Sequence, residues 1–250
     1  MTRGSEDYWD HPWRWSAVAR ALVPSMFHIR VKPTSLWTEW ADDGCARAST
    51  RFGWQEMLAE LVGWFLGRDL GAPVPDAAIL FPGRADAAWL SAYIPHPIHW
   101  EAHHAHFVTN LDAFGAMLAL DAIIHNHDRH KMNILLTPGA EEPELDAWAI
   151  DTGAALVGFP ADFAAADLAV PEKPNIARGL PVRLMEPGAR RAARRAVELV
   201  ESPALQHQVA GACRLVGEQE SNILFSALSK RMKQATRLVE RYIEVVGAIS

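Results

Sequence analysis

The sequence predicts an α+β protein, with a small sheet-and-helix lobe followed by a mainly helical one. Three observations carry this expectation. Short alternating apolar runs cluster before residue 95, apolar spacing of helical period dominates after residue 110, and a Pro-, His- and Trp-rich segment at 95–106 lies between them. The expected organisation is a loose tail over 1–14 and one domain over 15–250, with lobes meeting near residues 95 and 96.

Residues 26–31 and 36–40 alternate as strands do, and Asp42-Asp43-Gly44 marks a turn after the second. From Trp54 to Leu70 the spacing is helical, with Met57, Leu58, Leu61, Val62, Phe65 and Leu66 on one face. Gly71 ends that helix, and Pro73 and Pro75 prevent its continuation. Ala77 to Phe81 and Ala88 to Ile94, parted by Pro82-Gly83, complete the small sheet.

Asn110 is expected to cap a helix reaching about Ile124, with Leu111, Phe114, Leu118 and Ala122 facing inward. Asn133 to Thr137 and Leu145 to Ile150 predict a hairpin. Residues 154–188, rich in proline, predict irregular chain. From Ala189 onward two or more helices are expected, with Pro203 breaking the run.

Half of the 250 residues are hydrophobic and 22% are charged, which predicts a folded protein with a core. A formal charge of −6 argues against direct nucleic-acid binding, which needs a basic face. Cys45 and Cys213 form no metal or redox motif, so a reducing compartment is expected. The apolar stretch from Leu111 to Ile124 is interrupted by Asp112 and Asp121 and is too short to span a bilayer. With no apolar segment of signal-peptide length at the start, the expectation is a cytoplasmic protein with no membrane span.

The chemistry concentrates in His125-Asn126-His127-Asp128-Arg129-His130-Lys131-Met132-Asn133 and, past the hairpin, Ile150-Asp151-Thr152-Gly153. An Asp, an Asn five residues on and a second Asp before a Gly supply the oxygens that phosphoryl transfer from Mg·ATP requires. Asp128 would accept the proton of an attacking hydroxyl, while the Asn133 carbonyl and the Asp151 carboxylate would hold Mg2+ against the phosphates. The hairpin turns the chain back, so that all three can face one cleft. Gly153 would permit the sharp turn beside Asp151.

Asn126-His127-Asp128-Arg129-His130 through Asn133, with Ile150-Asp151-Thr152-Gly153, resembles the catalytic core of HipA-like kinases, an arrangement similar to that of phosphatidylinositol 3- and 4-kinases. Glu60-Leu61 through Leu70-Gly71-Ala72-Pro73-Val74-Pro75 resembles that family's Glu-bearing helix and following turn. Together these segments cover roughly residues 40 to 155. The resemblance implies a bilobal protein-kinase-like fold with ATP and Mg2+ as cofactors. It implies that Glu60, or Glu56 one turn away, fixes a lysine on the nucleotide phosphates, and that Ser91, Ala92 and Tyr93 lie near the adenine hinge.

Two departures accompany it. No Gly-rich loop precedes the Glu-bearing helix. Lys32 is the sole lysine before Lys131, yet it stands ahead of the Asp-Asp-Gly turn, and the segment after that turn offers Arg47 and Arg51 instead. Arginine does not replace lysine freely at a tight phosphate site, so the phosphate-binding role stays open among the three. The resemblance favours a protein serine or threonine as acceptor and would fit an antitoxin or regulatory partner. A small-molecule or lipid hydroxyl suits the same core, and a nucleotide-binding pseudokinase is an alternative.

A rival reading takes the histidines. His125, His127, Asp128 and His130, with His103, His104 and His106 upstream, approach the ligand spacing of metal hydrolases using zinc, iron or manganese. That reading leaves Asn133 and Asp-Thr-Gly unexplained. The basic run Arg190-Arg191-Ala192-Ala193-Arg194-Arg195 predicts a solvated helix face or a contact with an acidic partner or substrate phosphate, and Cys213 a buried small hydrophobe.

Overall fold

A computed structural model of the chain describes residues 27–31, 36–38, 54–75, 77–80, 88–92, 94, 97–216 and 219–249. Strands β1 (Phe27–Val31), β2 (Leu36–Thr38), β3 (Ala77–Leu80) and β4 (Ala88–Ala92) form an antiparallel sheet in the order β2-β1-β4-β3. Leu90 is the register residue, facing Ile29 on one side and Ala78 on the other.

Helix α1 (Trp54–Leu70) lies in sequence between β2 and β3. Gly71, at φ +82°, ends it: Ala72 N–H donates to Gly67 O at 2.8 Å and Gly71 N–H to Arg68 O at 3.1 Å. This is the paired closure of a left-handed C-terminal cap, which only glycine enters without cost. The apolar face expected from periodicity is buried, but so is every residue from Met57 to Gly67. The helix is wrapped by partners that no local pattern announces.

Most of those partners lie further along the chain, beyond residue 110. After β5 (Ile98–His99) and a 3-10 turn over Ala102–His106, helix α2 (Leu111–Ile124) is buried continuously from Phe114 to Ile124, with Leu111 only half-buried. It packs against α1, α4 (Val182–Val200) and α7 (Ala235–Gly247). Gly115 and Gly188 allow α2 and α4 to meet backbone to backbone. A methyl group on either would overlap the carbonyl oxygen of Met185 or of Asp112.

The remaining described elements are β6 (Asp128–Arg129), a 3-10 turn over Lys131–Asn133, β7 (Ile134–Pro138), β8 (Leu145–Ala149), α3 (Ala161–Ala165), β9 (Asn175–Ile176), α5 (Pro203–Val216) and α6 (Ser221–Lys233). Strands β5, β7 and β8 form a second sheet, and β6 pairs in parallel with β9. The result is a mixed α+β fold, mostly helical, with small sheets. One buried cluster runs from Trp89 of β4 through α1 and α2 to Val246 of α7. Each fully buried leucine in it contributes about 1.5–3 kcal/mol. Among the described residues no helix is long and apolar enough to cross a membrane.

Two sequence expectations need correction. Asn110 precedes α2, but its side chain makes no cap. Its Nδ2 donates to Ala147 O at 2.9 Å and its Oδ1 accepts from Ala147 N–H at 2.8 Å, so the edge of β8 takes both its polar atoms. Residues 154–188 are not irregular throughout: α4 begins at Val182 and carries Pro187 within it. Proline and glycine signal a break locally, but close packing of Gly188 on α2 holds the helix together there.

Candidate functional site

Three asparagines determine where Asp128 stands. Its backbone N–H donates to Asn126 Oδ1 at 3.2 Å, and its backbone carbonyl accepts from Asn133 Nδ2 at 2.8 Å. Its carboxylate Oδ1 accepts from Asn175 Nδ2 at 2.7 Å. The carboxylate is about 30% exposed, and His130 Nε2 is 3.9 Å from Oδ2. The candidate base is therefore fixed in backbone and side chain while remaining reachable from solvent.

Arg129, fully buried, joins this loop to the segment that leads from β8 into Asp151. Its Nε and Nη2 donate to the two carboxylate oxygens of Asp121 at 3.0 and 2.8 Å, and Asp121 is itself fully buried in α2. The remaining nitrogen, Nη1, donates to Asn133 O at 3.1 Å and to Ile150 O. Ile150 N–H also donates to Asn133 O at 3.1 Å, so Asn133 faces Ile150 across the hairpin and Asp151 follows directly. Burial works against the guanidinium charge, but Asp121, by charge and hydrogen bond, and Asp151 outweigh it, so the Arg129 proton is held more tightly than usual.

Asp151 itself has φ +59°, in the left-handed region. The sequence expectation placed the special turn at Gly153. The structure moves it to Asp151, a residue type that tolerates this conformation better than most. Gly153 N–H donates to Asp151 Oδ1 at 3.3 Å across that turn.

Glu60, expected to fix a phosphate-binding lysine, is buried in α1 and reaches the same turn. Its Oε2 accepts from Thr152 N–H at 3.0 Å and from Thr152 Oγ1 at 3.1 Å. Thr152 Oγ1 also lies 3.2 Å from Ala59 O. Glu56, the alternative, is half-buried in the first turn of α1. Lys32, Arg47, Arg51 and Tyr93 lie outside the described residues, as do the 1–14 tail, the Asp42-Asp43-Gly44 turn and Cys45. Ser91 and Ala92 belong to β4, where Ser91 pairs with His28 and Ala92 with Phe27.

By residue type, Asn133 and Asp151 offer oxygens of the kind magnesium accepts. The amide nitrogen of Asn133 is engaged by Asp128 O, so its carbonyl oxygen is the end left for a cation. Asp151 adds a carboxylate. Mg2+ takes one or two such protein oxygens and completes its shell with water and phosphate.

The histidines do not assemble into the rival site. Among the described residues, no three His, Cys, Asp or Glu side chains are grouped so as to hold a metal ion. His104 Nδ1 accepts Glu101 N–H at 3.1 Å and closes the 3-10 turn, with the His103 ring centroid 4.1 Å from its own. His125 occupies the left-handed residue that ends α2, at φ +55°. Burial, then the charges of Arg231 and His127, bring its pKa down to about 4.

Sequence reasoning gave no role to Asp121, Asn126, Arg129, Asn175 and Arg231. Asp121 had a signal, a carboxylate inside an apolar helix, which must find a partner when buried. Arg231, also buried, donates to Ala122 O and Ile123 O at the end of α2 and to Asp167 O and Ala169 O beyond it. Burial lowers its pKa to about 10 against the opposing pull of Asp167. Cys213 is buried, as expected. The basic run lies on α4, where Arg190, Arg191 and Arg195 pair with Glu186, Asp112 and Glu198 at the surface.

The chain matches no family model, and comparison with curated proteins yields no match.

Proposed function

We propose that the chain is a Mg2+-dependent kinase, transferring the γ-phosphoryl group of ATP to a hydroxyl acceptor. One observation carries this reading. Arg129, seated on Asp121, binds the carbonyls of both Asn133 and Ile150, and so ties the Asp128 loop to the residue preceding Asp151. A general base and two cation-type oxygens held as a unit are what phosphoryl transfer asks of a protein, because its catalysis is mostly positioning and charge stabilisation.

In the transfer, the acceptor oxygen bonds to the γ-phosphorus and the bond from that phosphorus to the β,γ-bridging oxygen breaks. ADP departs with the electron pair, and the hydroxyl proton passes to the Asp128 carboxylate. Asn133 and Asp151 would hold Mg2+, which supplies neutralisation of phosphate charge when bound. The kinase-like bilobal division belongs to this proposal, with the β2-β1-β4-β3 sheet and α1 as the smaller lobe. So do the adenine hinge near Ala92 and Tyr93 and a phosphate contact from Lys32, Arg47 or Arg51. The resemblance to HipA-like kinases favours a protein serine or threonine as acceptor.

Incubation with γ-labelled ATP, Mg2+ and candidate acceptors tests the proposal. The parent chain is expected to transfer label to itself or to an acceptor. Asp128→Ala should lower transfer by about 10²- to 10⁴-fold while leaving nucleotide binding intact. Undiminished transfer in that variant removes Asp128 from the base role. Nucleotide binding with no turnover by the parent identifies a pseudokinase instead.

A further inference from the structure

We propose that Asn175 is the positioning residue of Asp128: it holds one carboxylate oxygen so that the other is presented to the acceptor hydroxyl. The inference rests on the kinase reading above and extends it to a residue outside both sequence motifs.

Asn175 stands 47 residues beyond Asp128, yet the two are register partners in the parallel β6–β9 pair. Asn175 N–H donates to His127 O at 2.7 Å and Ala177 N–H to Arg129 O at 2.9 Å, bracketing Asp128. The side-chain bond, Nδ2 to Oδ1, is 2.7 Å. An ionised carboxylate only accepts, so the amide must present its nitrogen. With Oδ1 engaged and His130 Nε2 beyond hydrogen-bond range at 3.9 Å, Oδ2 accepts no hydrogen bond from the described residues and is the oxygen left for a substrate proton.

Asn175 is exposed, and an exposed polar contact often does little. Here the backbone carrying it is held on both sides. Upstream, Arg231 binds Asp167 O at 2.6 Å and Ala169 O at 2.8 Å. Downstream, the Trp100 indole N–H donates to Arg178 O at 3.0 Å. Gly179, at φ +72°, lies so close to Ala102 that a methyl group there would overlap it. An amide on an anchored strand fixes a carboxylate rotamer in a way that a mobile surface side chain does not. Asn126 and Asn133 fix the Asp128 backbone, and Asn175 completes the set by fixing the functional oxygen.

The test uses the full chain, with γ-labelled ATP, for the parent, Asn175→Ala, Asn175→Asp, Asp128→Ala and the Asp128→Ala/Asn175→Ala double variant. Asn175→Asp keeps the shape, removes the donor and adds a like charge. Both single changes at Asn175 are expected to lower kcat about 10- to 100-fold, with KM for ATP and the melting temperature unchanged. The double variant should be no slower than Asp128→Ala alone, because a residue acting through Asp128 has nothing left to position. Parent-like kcat in both Asn175 variants overturns the inference and leaves the kinase reading standing, as does additive loss in the double variant. Absence of transfer by the parent overturns the kinase reading and this inference with it.

Discussion

Glu60 and Thr152 are joined twice, one oxygen of the buried Glu60 carboxylate accepting both the backbone N–H and the hydroxyl of Thr152, at 3.0 and 3.1 Å. Thr152 directly follows Asp151, so α1 rests on the turn that carries the candidate metal ligand. Gly63, one turn further along α1, leaves room for Thr152: a Cβ there would overlap the threonine side chain.

Thr152→Val preserves the side-chain volume and removes one donor to a buried carboxylate. It is expected to cost about 1–3 kcal/mol, read as a lowered urea midpoint with an unchanged slope. Gly63→Ala should cost about 1–3 kcal/mol by overpacking at the same contact. A midpoint equal to the parent's in both variants would show that this contact does not restrain the turn.

The Asp121–Arg129 pair supports the site from beneath. Arg129→Met leaves the Asp121 carboxylate buried without its cation and strips donors from two carbonyls. The expected loss is about 3–5 kcal/mol. Joint replacement by Asp121→Leu and Arg129→Met should restore part of it, since no charge then stays buried alone. Urea unfolding of the two single variants and the double variant measures this, and simple additivity would count against the pair acting as a unit.

Most elements were legible because their signals are local. The helix over 54–70, its stop at Gly71 and the β7–β8 hairpin all follow from periodicity and turn residues. Asp128, Asn133 and Asp151 stand out in the sequence by residue type and spacing, and the proposed site rests on them. The β6–β9 bridge was not: two residues pair with two others 47 positions away, too short for any pattern, and so Asn175 stayed hidden. Asn110 misled because its residue type suits a cap equally well, and only β8 decides that its amide pairs with Ala147. The start of α4 misled because Pro187 and Gly188 read as a break until α2 is packed against them.

His125 gives the fold a pH dependence of known sign. Its pKa is lowered from 6.5 to about 4 in the folded chain, so between those values the unfolded chain takes up a proton that the folded chain refuses. The stability it contributes is present above about pH 6.5 and is lost as pH falls toward 4. His125→Asn tolerates the left-handed backbone and removes the titration. The melting temperature of this variant should fall less steeply with acid over that range than the parent's. Equal slopes would assign the parent's acid sensitivity to other groups.

Thermal unfolding with and without Mg·ATP, on the parent chain and on Asp151→Gly, is the most direct test of the proposed nucleotide site. Glycine accepts the φ of +59° at this position and deletes the carboxylate. At about 100-fold above the dissociation constant, Mg·ATP should add about 2.7 kcal/mol to the parent, a rise of roughly 5–10 °C. The rise should require Mg2+ and vanish in Asp151→Gly. No magnesium-dependent rise in the parent, or an equal rise in both proteins, would contradict a metal–nucleotide site at Asn133 and Asp151.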